Sequence, residues 1–408
     1  MQDLITVRGF VATDPATRHT ASGAAVTGFR LATTERRFDR ETAEWVDAHT
    51  NWYSISAFGQ LGSNTAQSVK KGNPVIVTGR LRVRDWSSGE RSGTSVDVVA
   101  DAVGLDLGWV NSLKVNRNAA DRRAASLANR RTVKKEYQAA WLVRAIECMD
   151  LTTLSGDDTP GRVERLCRKA MRPLRADLMQ ALGLESLQTG AVCVYHEMIQ
   201  PAAKIIQGRL PIAAVSTAFP AGLSSMETKV REIELSVAAG ATEIDIVITR
   251  QHVLTGNWQA LYDEMLAYRQ ACGDAHVKAI LATGDLVTLD NVAKASWVCM
   301  MAGADFIKTS TGKEGVNATI PVSLVMVRAI REYYERTGFK VGYKPAGGVS
   351  TAKSALQYLT VMKEELGNEW LQPHLFRIGA SSLLTDIERQ LEHYVTGAYS
   401  AAHRHAQP

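Results

Sequence analysis

Phe306-Ile307-Lys308-Thr309-Ser310-Thr311-Gly312-Lys313 sets a lysine at the end of a short apolar run and follows it with a Thr/Ser/Gly turn. Further on, Lys344-Pro345-Ala346-Gly347-Gly348 repeats the arrangement, and Gly379-Ala380-Ser381-Ser382 ends a third run. A charge inside a buried strand is costly unless it is paired. At the C-terminal end of a strand in a parallel barrel, where the loops collect reactive groups, such a lysine has a place. Working outward, short apolar runs fall at residues 145–151, 191–195, 212–217, 243–248, 276–282, 305–309, 340–345 and 376–379, with amphipathic segments between them. Eight βα units over roughly 260 residues match a (β/α)8 barrel in count and length. A doubly wound open sheet is the alternative, but no Gly-x-Gly-x-x-Gly follows the first run.

Upstream the period changes. Residues 4–11, 26–33, 52–58, 74–83 and 94–102 are rich in Val, Ile, Thr and aromatics, with turn signals at Asp14-Pro15, Ser22-Gly23, Gly72-Asn73-Pro74 and Ser87-Ser88-Gly89. Alternation is clear in Trp52-Tyr53-Ser54-Ile55-Ser56-Ala57-Phe58, and a helix is expected over residues 61–70. Four or five strands and one helix in about 100 residues fit a small closed barrel of the OB type. The fold class is therefore two-domain: an all-β OB-fold barrel over residues 1–106, then an α/β (β/α)8 TIM barrel over residues 107–408, with the seam near residues 104–111.

The 408 residues are 45% hydrophobic and 22% charged, which excludes a disordered chain. No run is long and apolar enough for a membrane span, and residues 1–6 show no signal peptide, so a cytoplasmic protein without membrane contact is expected. Five cysteines without a Cys-x-x-Cys pair argue against a disulfide framework or a structural zinc site. The net charge of +5 is uneven: residues 1–104 carry +1, while residues 114–135 carry eight basic residues and one acid. That stretch reads first as a solvated helical face and second as an auxiliary nucleic-acid patch.

Polar residues inside the apolar runs of the second half are Asp150, Cys193, Asp245, Lys278, Lys308 and Lys344. Three lysines and two aspartates on five runs point to a convergent polar centre. The glycine turns after Lys308 and Lys344 suit a phosphate, because glycine lets backbone N–H groups come close and each turn opens a helix N-terminus. A neutral lysine amine can attack an aldehyde and form a Schiff base. A free lysine is neutral in only about one molecule in 2,500 at pH 7, and bringing its pKa to about 7 takes roughly 4–5 kcal/mol. A second cation about 4 Å away supplies roughly 4 kcal/mol at an effective dielectric of 20, and burial supplies the rest.

Asp150-Leu151-Thr152-Thr153-Leu154, Ala191-Val192-Cys193-Val194-Tyr195, Glu243-Ile244-Asp245-Ile246-Val247, the Lys308 run with Asn317-Ala318-Thr319, Lys344-Pro345-Ala346-Gly347-Gly348 and Arg377-Ile378-Gly379-Ala380-Ser381-Ser382 resemble deoxyribose-phosphate aldolase of the longer, eukaryotic-type branch. The resemblance spans about residues 105–399 and includes Arg130-Arg131-Thr132-Val133-Lys134-Lys135. It implies a class I aldolase without metal or other cofactor. Its reaction is reversible cleavage of 2-deoxyribose 5-phosphate to glyceraldehyde 3-phosphate and acetaldehyde, in deoxyribonucleotide catabolism. It further implies Lys308 as the Schiff-base lysine, Lys344 as its perturbing neighbour, Asp245 as the proton relay and Asp150 as a positioning group. Lys278 falls near the same centre, and Gly312, Lys313, Gly347, Gly348, Gly379, Ser381 and Ser382 map onto phosphate-binding turns. Cys193 reads as a buried small residue close enough to be attacked by product aldehydes. Asp285 stands where that family shows Glu, and His196 where Pro is common.

Asp14-Pro15, Phe29-Arg30-Leu31-Ala32-Thr33-Thr34-Glu35, Trp52-Tyr53, Phe58-Gly59, Lys71-Gly72 and Gly79-Arg80-Leu81-Arg82-Val83-Arg84 resemble the bacterial single-stranded DNA-binding proteins over about residues 4–106. Such binding interleaves stacking aromatics with cations that follow phosphates. Trp52, Phe58 and Trp86 map to stacking positions, and Arg36, Arg37, Arg80, Arg82 and Arg84 supply charge. Arg37, beside Phe38, stands where relatives carry a tryptophan. The acidic tail of that family is missing, so recruitment through it is not expected. Both families assemble, so a homo-oligomer is expected. The alternatives are a DNA-binding protein whose aldolase part is secondary, an OB domain used only for oligomerisation, or a merged reading frame.

Overall fold

The protein is described from a computed structural model, which covers residues 3–20, 23, 25–39, 44–88, 91–128, 133–401 and 404–405. Two compact units divide the chain: Met1–Ser112 with Glu332–Phe339, and Leu113–Arg331 with Lys340–Pro408.

Among the described residues the first unit holds six strands: β1 (Leu4–Val11), β2 (Ala16–His19), β3 (Ala25–Asp39), β4 (Glu44–Phe58), β5 (Pro74–Ser88) and β6 (Arg91–Leu105). The sheet runs β1-β5-β6-β4-β3-β2, and β1 also pairs with β3, curling it toward a barrel. Strand alternation sorts the side chains. Ile55 and Ala57 face a core with Val11, Phe29, Leu31, Val75, Val77 and Val98, while Trp52 and Phe58 face outward. One helix, Gly59–Ser68, lies close to the expected span. The sequence reading missed β2 and stopped four strands short. β3 pairs with β4 as far as Asp39↔Glu44, and β5 with β6 as far as Ser88↔Arg91. These ends are joined by ladder pairing and mix charged with aromatic residues, so they carry no clean alternation to read.

The second unit is an eight-stranded parallel barrel among the described residues. Its strands are β7 (Met149–Thr152), β8 (Ala191–Val194), β9 (Ile212–Ser216), β10 (Glu243–Val247), β11 (His276–Ile280), β12 (Phe306–Lys308), β13 (Gly342–Lys344) and β14 (Ile378–Ala380). The order β13-β12-β11-β10-β9-β8-β7-β14 is closed by the parallel bridges Tyr343↔Phe376 and Ala346↔Gly379. Helices alternate with the strands, and several start on a side-chain cap: Thr159 before Pro160–Met171, Ser225 before Met226–Ala238, Thr288 before Leu289–Met301 and Thr351 before Ala352–Leu366. The run at residues 145–151 is a correction: its first part ends the helix Lys135–Glu147, and only Met149–Thr152 is strand. Ala145 and Ile146 are the buried face of that helix, and a short apolar run does not separate the two cases.

The basic stretch at 114–135 is partly ion-paired. Lys114 meets Asp290 at 3.2 Å, Arg117 meets Asp121 at 3.5 Å and Arg123 meets Glu365 at 3.2 Å. Arg130 and Arg131 lie outside the described residues. All five cysteines are free and buried. Among the described residues no helix is long and apolar enough to cross a membrane.

Candidate active site

Register builds the centre. Parallel pairing sets Lys308 on β12 directly beside Lys344 on β13, and Asp245 on β10 beside Lys278 on β11. Because side chains alternate, Glu243 and Asp245 point the same way from β10, and Asp150 reaches the same interior from β7. Lys308 Nζ and Lys344 Nζ both donate to Asp245 Oδ2 at 2.7 Å, so the two nitrogens lie no further apart than twice that distance. Lys344 also donates to Asp150 Oδ2. Lys278 donates to Asp245 Oδ1 at 3.1 Å and to Glu243 Oε2. Arg377, just before β14, donates to Asp150 Oδ1 at 2.6 Å and to Glu243 Oε1 at 2.8 Å. A side chain at Gly379 would come within 3.3 Å of Lys344 Cε, so that glycine keeps room for the lysine.

Protonation follows from burial set against these partners. Burial, with the neighbouring Lys344 charge and against the pull of Asp245, holds the Lys308 amine below the ordinary lysine value. The Lys344 ammonium is raised, because Asp150 and Asp245 overcome the effect of burial. Lys278 is raised for the same reason by Asp245, Glu243 and Asp150. Although burial opposes it, the lysines hold the Asp245 carboxyl well below its usual range, and Lys344, Arg377 and Lys278 lower that of Asp150. The sequence argument made the second lysine the main lever on Lys308; burial is the larger one.

Lys308 opens onto a cavity of about 400 Å³ at the C-terminal end of the strands. Gly312, Lys313, Gly347, Gly348, Gly379, Ser381 and Ser382 line it, as the glycine turns predict. Ser382 opens the helix Leu383–Thr396, whose positive end favours an anion there. Two expected details differ. Lys278 does not line the cavity; it is buried in the ion cluster, so it is not placed as a phosphate ligand. Gly312 lines the cavity, but its N–H is given to Glu314 Oε2 at 3.1 Å, and Thr311 N–H is also taken by Glu314. Asp150, expected to position the sugar hydroxyl or the lysine pair, holds Lys344 and Arg377 and does not line the cavity.

Cys193 packs with Ala213 and Val215, and burial raises its thiol. Asp285 pairs with Arg250 at 2.9 Å, and His196 Nδ1 lies 3.1 Å from Ser236 Oγ. Glu243 and Arg377 were missed as site residues. The signal was present for Glu243, two positions before Asp245 on one strand face. A larger cavity of about 1250 Å³ lies at the other end of the barrel, around Thr189, Gly190, Leu210 and Pro373. These residues precede strands, which is the wrong end for barrel chemistry.

On the first unit Trp52, Phe58 and Trp86 are 48%, 46% and 48% exposed, so none is core. Arg30 lies over the Trp52 ring at 5.7 Å and donates to Ser54 Oγ at 3.2 Å. Arg18, Arg30, Ser54, Ser56 and Phe58 line a groove of about 690 Å³; Arg18 and Arg30 were not foreseen. Arg82 is exposed, but Arg80 sits 3.6 Å from Asp101 and Arg84 3.0 Å from Asp97, so the expected cation row is partly neutralised. The side chains of Arg36, Arg37 and Phe38 lie outside the described residues.

A parallel barrel with a buried lysine pair beside a glycine-lined cavity is of the aldolase class. The chain belongs to the DeoC/LacD family of aldolases, whose family model matches residues 144–388. The model of the single-strand binding protein family matches residues 3–106. The chain is 58% identical to the deoxyribose-phosphate aldolase of Mus musculus and 57% identical to that of Homo sapiens. Each match runs over 304 residues, 73% of this chain and 96% of the relative. The crystal structure of a deoxyribose-phosphate aldolase homologue from Toxoplasma gondii superposes with a TM-score of 0.55 at 18% identity, covering 65% of this chain and 98% of that one, and so agrees in fold.

Gly347 has φ +80°, and a Cβ there would meet the Asn317 side chain at 2.6 Å. Gly347→Ala is expected to introduce about 1–3 kcal/mol of local strain and to weaken inorganic phosphate binding, read by calorimetric titration. Unchanged phosphate affinity would remove this turn from the anion site.

Proposed function

We propose that the second unit is a Schiff-base deoxyribose-phosphate aldolase and that the first unit binds single-stranded DNA. The observation that carries the enzymatic reading is the Asp245 oxygen shared at 2.7 Å by Lys308 and Lys344, with the Lys308 amine lowered and Lys344 held charged. The relatives of that activity, matched over almost their whole length, support the substrate.

In this scheme the lone pair of Lys308 Nζ attacks C1 of open-chain 2-deoxyribose 5-phosphate, and loss of water leaves an iminium ion. Asp245 takes the proton of the C3 hydroxyl as C2–C3 cleaves, and the bond pair moves into the iminium to form an enamine. Glyceraldehyde 3-phosphate leaves. Protonation at C2 and hydrolysis release acetaldehyde and return the amine. Asp245, hydrogen-bonded to both amines, is placed to relay that proton. It also links the two amines, with Lys344 as the charged donor beside the reacting centre. The turns at Gly347-Gly348 and Ser381-Ser382 hold the 5-phosphate, with Lys313 at the rim. No metal or organic cofactor enters these steps.

For the first unit, outward aromatics and nearby arginines suit stacking and phosphate contact. Arg30 and Arg18 join the predicted set, and Trp86 lies against Gly93, whose missing side chain leaves the ring its place. This reading is favoured over a purely oligomerising OB domain, because Trp52 and Phe58 are exposed on the same strand face as Ser54 and Ser56. Homo-oligomerisation of the chain belongs to the same proposal.

Lys308→Ala is expected to abolish cleavage of 2-deoxyribose 5-phosphate, and borohydride with substrate to leave a reduced adduct on Lys308 by peptide mapping; full activity of the variant refutes the assignment. Lys344→Leu removes a cation that lowers the Lys308 pKa. Because the reactive form is the neutral amine, activity is lost as pH falls through that pKa, so the acid limb of kcat/KM moves to higher pH; an unmoved limb takes Lys344 out of that role. Trp52→Ala is expected to weaken poly-dT binding by about 1–3 kcal/mol, with affinity falling steeply as salt rises. Fluorescence titration at two salt concentrations measures both, and equal affinity of variant and parent would leave the OB unit without this stacking site.

A further inference from the structure

Beneath the lysine pair lies a second layer of ions that no step above uses. Glu243 accepts from Lys278 and Arg377, and Arg377 reaches past it to Asp150. Glu243 is 3% exposed and Arg377 4%, and neither lines the cavity beside Lys308. They cannot touch a substrate in that cavity, yet they are joined to Lys308 by an unbroken chain of ion pairs. One route runs from Arg377 through Asp150, Lys344 and Asp245, the other through Glu243, Lys278 and Asp245.

The cluster is unequal. Its cations are Lys278, Lys308, Lys344 and Arg377; its anions are Asp150, Glu243 and Asp245. With every group ionised, the barrel interior holds one positive charge too many, and net charge in a low-dielectric interior is costly. Losing one proton cancels it. An arginine does not release a proton in proteins. Lys344 and Lys278 are each gripped by more than one carboxylate, whereas among the described residues Lys308 has only Asp245 as an ion-pair partner and opens onto the cavity.

We propose that Glu243 and Arg377 are positioning residues for the Schiff-base step. They set the fixed charge of the barrel interior so that it is neutral only when Lys308 has given up its proton. This rests on Lys308 being the nucleophile. The groups facing Lys308 are Asp245 from β10, Lys344 from β13 and the neutral thiol of Cys193 from β8. Behind them stand Asp150 on β7, Glu243 on β10, Lys278 on β11 and Arg377 before β14. From β9 come the apolar Ala213 and Val215, and Lys313 lines the cavity on its solvent side. The lowered Lys308 amine and raised Lys344 and Lys278 agree with this division of charge.

The test is the pH dependence of acetaldehyde trapping on Lys308 with cyanoborohydride, read by mapping that one peptide in the full-length chain. Glu243→Gln makes the interior one charge more positive, so the trapping midpoint is expected to fall by about one pH unit or more. Arg377→Gln makes it one charge more negative, and the midpoint is expected to rise by a similar amount. The double variant Glu243→Gln/Arg377→Gln restores the balance and is expected to return to the parent midpoint. Arg377→Lys keeps the charge and is expected to leave the midpoint in place even where kcat falls. A purely structural role lowers kcat and leaves the midpoint alone. Glu243→Gln and Arg377→Gln shifting the same way, or either of these two folded without a shift, overturns the proposal. The parent protein decides where the variants fail to fold: a Lys308 midpoint near the ordinary lysine value of about 10.4 overturns it, and one near neutrality supports it. Turnover of 2-deoxyribose 5-phosphate is followed in parallel. A protein that traps on Lys308 at neutral pH without cleaving the sugar phosphate loses the substrate assignment and keeps the charge balance; one that never traps on Lys308 loses both.

Discussion

The carboxylate of Asp245 is the constraint on which the barrel interior depends. Three lysine nitrogens lie within 3.1 Å of its two oxygens, and all four side chains are almost wholly shielded from water. Taking one partner out of such a cluster leaves a stranded charge, which typically costs about 3–5 kcal/mol. The backbone is arranged to allow the cluster. Parallel register sets Lys308 beside Lys344, and Gly379 and Gly342 leave space for Lys344 and for the Phe306 ring. Phe306 in turn lies 6.0 Å from Lys278 Nζ, so an aromatic face helps to support one buried cation from below. A side chain on either glycine would push on the ion cluster through its nearest neighbour.

Much of this is legible in the sequence, for physical reasons. A lysine at the end of an apolar run with glycines after it is unusual, and it marked Lys308 and Lys344 together with the cavity turns. Strand ends in the barrel fall within a residue or two of the apolar runs, because a parallel strand buried on both faces is apolar throughout. The failures have equally definite causes. Ala145 and Ile146 are apolar because they are the buried side of a helix. The arms of β3–β4 and β5–β6 are paired by backbone ladders, and their mixed sequences, such as Glu35-Arg36-Arg37-Phe38-Asp39, give no strict alternation. The resemblance sets Lys278 near the same centre; its depth in the ion cluster depends on register with Asp245, which pattern alone does not provide. Arg377 stood in a quoted motif, but only the closed barrel brings it to Asp150 and Glu243.

The OB unit shows the same alternation put to the opposite use. In β4, odd positions such as Ile55 and Ala57 are wholly buried, and even positions carry Trp52 and Phe58 into solvent. Large exposed aromatics bring no core stability, so their presence on one face beside Arg30 calls for a ligand with flat apolar surfaces and negative charge between them. Arg80 and Arg84 spend part of their charge on Asp101 and Asp97, so in the proposed DNA contact the weight falls on Arg30, Arg18 and Arg82. The two units therefore divide the work along chemical lines: in one, charge is kept from water and balanced internally; in the other, charge and aromatic surface are left in water for a partner to cover.

The lysine pair is not symmetrical, and the asymmetry gives the proton its direction. Lys344 is bound by two carboxylates, Asp150 and Asp245, and their attraction outweighs the cost of its burial. Lys308 suffers comparable burial with Asp245 alone, and there burial wins, helped by the Lys344 charge. In the proposed scheme a single carboxylate more or less separates the amine held charged from the one that is to react. The decision is made by Asp150, a residue on the opposite side of the closure between β13 and β14, which joins Lys344 only because the barrel is closed. Closure of the sheet is for this reason a chemical requirement as well as a structural one: in an open sheet of the same strands Lys344 would lose its second carboxylate, and the two lysines would compete for Asp245 on nearly equal terms.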